Sequence, residues 1–325
     1  MMTHLPWIIL SAYVVLLLAL DFLVLHRKHA PVSSRRAMRE SIFFIGNALL
    51  FTVVVYWLYA ESMVDNINNL TPRQSVVKYI TGYLIELSLS VDNLFVIAMI
   101  FEGYRIPRQY QHRLLFLGII GAIVFRAILI ALGLALVHAF HNVTIVFGLF
   151  LLYTAFRMLR KEAEHAPPRQ PRVIFGFIRM SNVIDGAKFR TKVDGKTVFT
   201  ALFGALLTIE MADLLFAVDS IPAILAVTTD PFLVLSSNVF AIMGLRSLYF
   251  FLAGMLEKFA FLKYSVFAIL IFVSLKLITA NWVDIPEWFS LSFITCSLAM
   301  GVWISILRLK ADARAADTEA DPSGP

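Results

Sequence analysis

Apolar runs of bilayer length recur along this chain, near residues 5–25, 42–60, 76–101, 114–137, 143–159, 198–228, 234–256, 261–280 and 287–308. A hydrocarbon core about 30 Å thick is crossed by a helix of about 20 residues, and only helices or closed barrels satisfy every backbone polar group inside it. The runs predict an all-α, polytopic membrane protein with about nine transmembrane helices. Composition agrees: 59% of the residues are hydrophobic and 15% charged, against about 25% charged in soluble domains, and the mean hydropathy is +0.79.

The linkers give an orientation, because Lys and Arg collect on the cytoplasmic side. Arg27, Lys28, Arg35, Arg36 and Arg39 follow the first run, Arg105, Arg108 and Arg113 the third, and Arg157, Arg160 and Lys161 the fifth. Lys258, Lys263, Arg308 and Lys310 continue the series. The alternate linkers HAFHN, TTDPF and NWVDIPE hold neither residue, and only Arg73 and Lys78 dilute the contrast. The pattern predicts a multi-pass protein of the cell inner (plasma) membrane, N-terminus outside and C-terminus cytoplasmic. It also accounts for the net charge of +6 without nucleic acid as a partner. The start MMTHLPW lacks the basic residues of a secretory signal, so the first run is expected to remain as a helix. Cys296 is the single cysteine, which excludes an intramolecular disulfide and a thiolate-rich metal centre.

Six regions are expected: a two-helix region at 1–75, a three-helix unit at 76–160, a cytoplasmic connector at 161–197, a second three-helix unit at 198–281, a last transmembrane helix at 282–310 and a disordered tail at 311–325. Within the connector, HAPPRQPR reads as a proline-rich linker and FRTKVDGKTVF carries the Asp-Gly turn of a hairpin.

Acids interrupt two of the runs. Laying YLIELSLSVDNLFVIAMIF on TIEMADLLFAVDSIPAIL sets Val91-Asp92-Asn93 on Val218-Asp219-Ser220 and Glu86 on Asp213, and Glu210 adds a fifth carboxylate. Further along, GAIVFRAILIALG and AIMGLRSLYFFLA match at Arg126 and Arg246. The match marks a duplicated three-span unit. An odd number of spans forces the two copies to enter from opposite sides, which makes two inverted three-helix repeats, an architecture of transporters. Within each copy the paired acids lie about 9 Å apart along the helix axis. Glu210, Asp213 and Ser220 share a face, but Asp219 points away on a straight helix. A break at Pro222 is therefore expected, with the freed Val218 carbonyl as a ligand beside Asp219.

Each acid or arginine at mid-membrane costs about 2.5–3.5 kcal/mol, so the five acids cost on the order of 15 kcal/mol before pairing. Arg126 and Arg246, as charge-pairing partners, leave three negative charges over, which a divalent cation and one proton would cancel. Glu86, Asp92, Asn93, Glu210, Asp213, Asp219 and Ser220 offer carboxylate, amide and hydroxyl oxygens that suit manganese, magnesium or calcium. His138 and His141 in an external linker, and Gly118, Gly121 and Gly133 in the fourth run, read as interfacial and packing residues respectively. Asp21, near a span end, reads as solvated.

TGYLIELSLSVDNLFVIAMIF together with IEMADLLFAVDSIPAILAVTTDPFLVLSSNVFAIMGLRSLYFFLAG resembles the TerC family of integral membrane proteins, most closely its Alx-type members, over nearly the whole chain except the tail. The resemblance implies kinship with LysE-type exporters, a link to tellurium resistance and an activity in manganese export. In that reading manganese is the transported ion and not a structural cofactor, and the family motif falls on the same seven residues from Glu86 to Ser220. Many members carry Lys where this chain has Leu87, which removes a cation beside Glu86.

The expected mechanism is alternating access between the repeats, with protons and the divalent ion as the exchanged partners. Moving a divalent cation out against 100 mV costs about 4.6 kcal/mol, and no nucleotide-binding motif is present to supply it. No enzyme activity is expected. The alternatives are an intramembrane aspartyl protease, a membrane scaffold of a metal or tellurite stress-response complex, and, within transport, a passive channel.

Overall fold

The structure, a computed structural model, describes residues 4–21, 34–140, 143–160, 173–174, 178–179, 181, 183–193, 196–252, 262–280, 282–283 and 285–320. Among these it contains nine α-helices, one in each expected run: α1 (Leu5–Leu20), α2 (Ser34–Ala60), α3 (Pro72–Gly103), α4 (Arg108–Ala139), α5 (Val143–Arg160), α6 (Ala201–Leu225), α7 (Pro231–Leu252), α8 (Leu262–Thr279) and α9 (Glu287–Ala320).

Local chemistry sets several boundaries. Thr71 begins α3 with a capping box, its hydroxyl accepting from the Gln74 amide and the Gln74 side chain accepting from the Thr71 amide, with Pro72 in the first turn. Asp230 caps α7: its Oδ1 accepts from the amides of Phe232 (3.0 Å) and Leu233 (3.2 Å), and Pro231 opens the helix. The TTDPF linker is thus a helix start.

Five of the helices are long and apolar enough to cross a membrane, over Arg35–Ala60, Arg108–Ala139, Ala201–Leu225, Pro231–Phe251 and Glu287–Arg308. The expectation of nine crossings is met to that extent. Helices α1 and α5 are apolar but shorter. Helix α3 is 32 residues long, but Glu86, Ser88, Ser90 and Asn93 of its polar midsection are buried in the protein, so the residues that would build a site are those that lower its hydropathy. The outer surface carries large apolar side chains such as Ile8, Val15, Ile42, Val53, Ile128 and Leu132, which suits a lipid environment.

Helix α3 packs against α7 and α6 against α4, while α3 meets α6, α4 meets α7 and α5 meets α8. Helices α2 and α9 lie against α3, and α2 also against α7. Small residues set the closest approaches. At Gly148 of α5 a Cβ would lie 2.9 Å from the Ser274 carbonyl of α8, and at Gly133 of α4 3.0 Å from Ile221 of α6. Between α2, α3 and α7, the rings of Phe51, Tyr79, Phe232 and Phe240 form one aromatic cluster. Lys78, which diluted the charge pattern of the linkers, is neutralised in place: its ammonium donates to the Val227 carbonyl and pairs with Glu287 of α9, both at 3.0 Å.

The connector holds two antiparallel strand pairs, β1 (Val173–Ile174) with β2 (Ile178–Arg179) and β3 (Arg190–Val193) with β4 (Lys196–Phe199). The second is the expected hairpin, with Val193 opposite Lys196; the turn at 194–195 and the proline-rich stretch at 161–172 lie outside the described residues. The first pair was not expected. The tail differs from expectation too, since α9 continues to Ala320. Ala311, Ala313, Ala315, Ala316 and Ala320 are strong helix formers, and the first proline comes only at 322. Residues 321–325 lie outside the described residues.

Candidate functional site

Arg126 is the largest side chain buried at the meeting of α3, α4, α6 and α7, and its exposure is 0%. Five hydrogen bonds hold it. Its Nη2 and Nε donate to the two oxygens of Asp213, at 3.0 and 3.4 Å, in the two-pronged arrangement that suits guanidinium and carboxylate. Its Nη1 donates to Glu86 Oε1, to Asn238 Oδ1 at 2.9 Å and to Ser220 Oγ at 3.4 Å. The Asn238 amide in turn donates to Glu86 Oε2 at 3.2 Å, and Ser90 donates to Glu86 Oε1 at 3.4 Å. Every oxygen of Glu86 and Asp213 therefore has a partner, and the two acids at matching positions of the duplicated unit share one cation.

Glu210 sits one turn before Asp213, against α4. A Cβ at Gly121 would collide with both of its carboxylate oxygens, and Gly118 lies beside it. Gly121, expected to serve helix packing, instead makes room for an acid. Among the described residues Glu210 Oε2 is buried without a hydrogen-bond partner. Asn93 is buried on α3, seven residues after Glu86 and so on the same face.

Several expectations are corrected by this geometry. Helix α6 runs unbroken through Pro222. The proline lies three residues before the helix end, where one lost backbone hydrogen bond is easily tolerated. With no break, Asp219 stays on the far side and accepts from Thr154 of α5 at 3.3 Å, apart from the Arg126 network, and the Val218 side chain faces outward, 47% exposed. Arg246 pairs with Asp21, just beyond α1, and stacks over Phe116. Asp21 is accordingly buried, 3% exposed, and not solvated. The backbone of Asp92 lies in α3, but its side chain is outside the described residues, as is His141. His138 places a ring nitrogen 2.7 Å from the Leu134 carbonyl within α4.

Asn238 is the member of the network that sequence reasoning missed. An amide after two serines in a span of bilayer length was the available signal, but the repeat gives it no counterpart, since Gly118 occupies the matching position. Among the described residues no group of three or more His, Cys, Asp or Glu is poised to hold a metal.

The chain matches the integral membrane protein TerC family over residues 71–313. It is 41% identical over 305 residues to an uncharacterised membrane protein of Myxococcus xanthus, covering 93% of this chain and 92% of that protein. It is 39% identical over 316 residues, 95% of this chain and 97% of the relative, to a Salmonella typhi protein whose name provisionally makes it the membrane-bound redox modulator Alx. An Escherichia coli protein of the same name is 39% identical over 302 residues, 92% of this chain and 93% of its own length. No solved structure matches the chain.

Proposed function

The chain belongs to the TerC family of integral membrane proteins, and from that premise and the buried acid network we propose that it exports divalent manganese from the cytoplasm. The observation that carries the reading is the sharing of one fully buried arginine between Glu86 of α3 and Asp213 of α6. A protein gains little stability from ion pairs at mid-membrane depth, where charged groups mark ion pathways and relays. Glu210, with a carboxylate oxygen unpartnered among the described residues, adds negative charge one turn away. Hard oxygens from acids, Asn238, Ser220 and Asn93 suit manganese, magnesium or calcium, and no His or Cys takes part in the network.

Alternating access is the proposed mechanism, across two inverted repeats, α3–α5 and α6–α8, within a nine-helix membrane domain of the inner membrane whose N-terminus is outside. Exchanging the repeats exchanges α3·α7 for α6·α4 and returns α3·α6, α4·α7 and α5·α8 to themselves, which is the packing observed. Of the two related arginines, Arg126 meets Glu86 and Asp213, and Arg246 meets Asp21. The outward movement of a divalent cation is driven, in this proposal, by protons moving inward.

The intramembrane protease reading is weaker, because its two acids must share a proton and here a guanidinium separates Glu86 from Asp213. A redox role of the kind in the relatives' name would rest on Cys296, exposed on α9, which as the single cysteine can form a disulfide only with another molecule.

Manganese flux through purified protein in liposomes tests the proposal. Glu86→Gln and Asp213→Asn should abolish flux, and Met211→Leu, an exposed change two residues from Asp213, should leave it. Equal flux in all three would refute the site. Flux that ignores a collapsed proton gradient would remove the coupling and favour a passive channel.

A further inference from the structure

We propose that Arg126 is the resident cation of the transport site, so that a divalent ion and the Arg126 guanidinium occupy Glu86 and Asp213 in turn and never together. The inference deepens the transport reading and rests on it. Both oxygens of Asp213 are taken by Arg126, one oxygen of Glu86 by Arg126 and Ser90, and the other by Asn238. On Glu86 and Asp213 an arriving ion thus finds no free carboxylate oxygen until the guanidinium withdraws.

Charge points the same way. Two carboxylates and one guanidinium carry a net single negative charge, whereas two carboxylates and a divalent ion are neutral. Keeping Arg126 in place beside the ion would leave the Glu86–Asp213 pair with a net positive charge around a centre of 0% exposure, where the two cations repel strongly. Swapping one cation for the other keeps that pair within one charge of neutrality in both states. Asn238 is built for the exchange: its carbonyl accepts from Arg126 and its amide donates to Glu86. When Arg126 leaves, that carbonyl becomes a neutral oxygen available to the ion. Arg126 lies on α4 and its partners on α3, α6 and α7, so its withdrawal and return tie ion occupancy to the packing of α4 against its neighbours.

The exchange makes Arg126 a competitor, and competition has a signature separate from transport. Binding of manganese(II) to the full-length protein in detergent is read from loss of the free-ion electron paramagnetic resonance signal. Wild type, Arg126→Gln and Arg126→Lys are compared, each checked for folding by thermal unfolding. Arg126→Gln should bind manganese about tenfold more tightly than wild type, within the ordinary range of coupling between competing ligands. Millimolar guanidinium chloride should compete with the ion in this variant and leave wild-type affinity unchanged. Arg126→Lys keeps the charge but loses the two-pronged grip on Asp213, and should bind with intermediate affinity. It decides the matter if Arg126→Gln does not fold.

Unchanged or weaker binding in the folded variants, with wild type binding, would overturn the competition and leave the transport reading standing. No binding to wild type or to any folded variant would overturn both. Tight binding in Arg126→Gln that guanidinium does not disturb would mean that the ion sits elsewhere, which also overturns the proposal.

Discussion

Single side chains decide how this membrane interior tolerates its acids. Glu86 and Asp213 share one guanidinium, and Asn238 completes the set by bonding to both sides of the pair. Removing the amide leaves Glu86 Oε2 without its partner and takes one of three acceptors from Arg126 Nη1, so Asn238→Ala should destabilise the fold by about 1–3 kcal/mol. A thermal midpoint equal to wild type would show that the bridge is dispensable. The seat of Glu210 gives a second residue-scale test. Gly121→Ala pushes a methyl into the carboxylate and should cost about 1–3 kcal/mol, whereas Gly46→Ala on α2, with nothing within 4 Å of the added carbon, should be neutral or slightly stabilising. Equal effects would dismiss the seat. Glu86, Asp213, Ser220 and Arg126 were legible in the sequence, because charge in an apolar run is costly and the duplicated motif pairs the first two. Asn238 and the partner of Arg246 were not, because Asp21 lies outside the duplicated unit and an isolated amide carries no pattern.

At the scale of the element, the helices were legible because apolar length is a strong signal and the capping residues are local. Asp230 shows how a motif acquires a physical reason: within TTDPF it bonds the first amides of α7. Asp230→Ala should cost about 1 kcal/mol, read as a lower thermal midpoint, and no shift would mean that Pro231 and packing suffice. The behaviour of Pro222 was misread, since the sequence does not reveal that the helix ends three residues later and that α6 needs no break there. In the connector, the Thr191 hydroxyl and the Lys188 ammonium hold the Asp185 carboxyl below its usual range. A lowered value stabilises the folded connector above the unfolded value of about 3.9, and that small contribution disappears as pH falls through the lowered value. The protection of amides 183–193 against hydrogen exchange, relative to their intrinsic rates at each pH, should therefore fall in acid, and Asp185→Asn should remove that fall. Acid-insensitive protection in wild type would rule out this role for Asp185.

Across the whole molecule, α3 packs on α7 and α4 on α6, and the acid network sits where these four helices meet. The matching arginines have different partners, Glu86 and Asp213 for Arg126 and Asp21 for Arg246. This asymmetry lay beyond the sequence, because it depends on a residue from α1's end folding against α7. The account stands or falls on whether a divalent ion enters between the acids. The most direct measurement is the anomalous scattering of manganese in crystals of the protein grown with the ion, compared with Asp213→Asn grown the same way. The account predicts a manganese peak in contact with the Glu86 and Asp213 carboxylates, Arg126 withdrawn from them, and no such peak in the variant. Manganese found only at the aqueous ends of the helices, with Arg126 still bridging both acids, would contradict it.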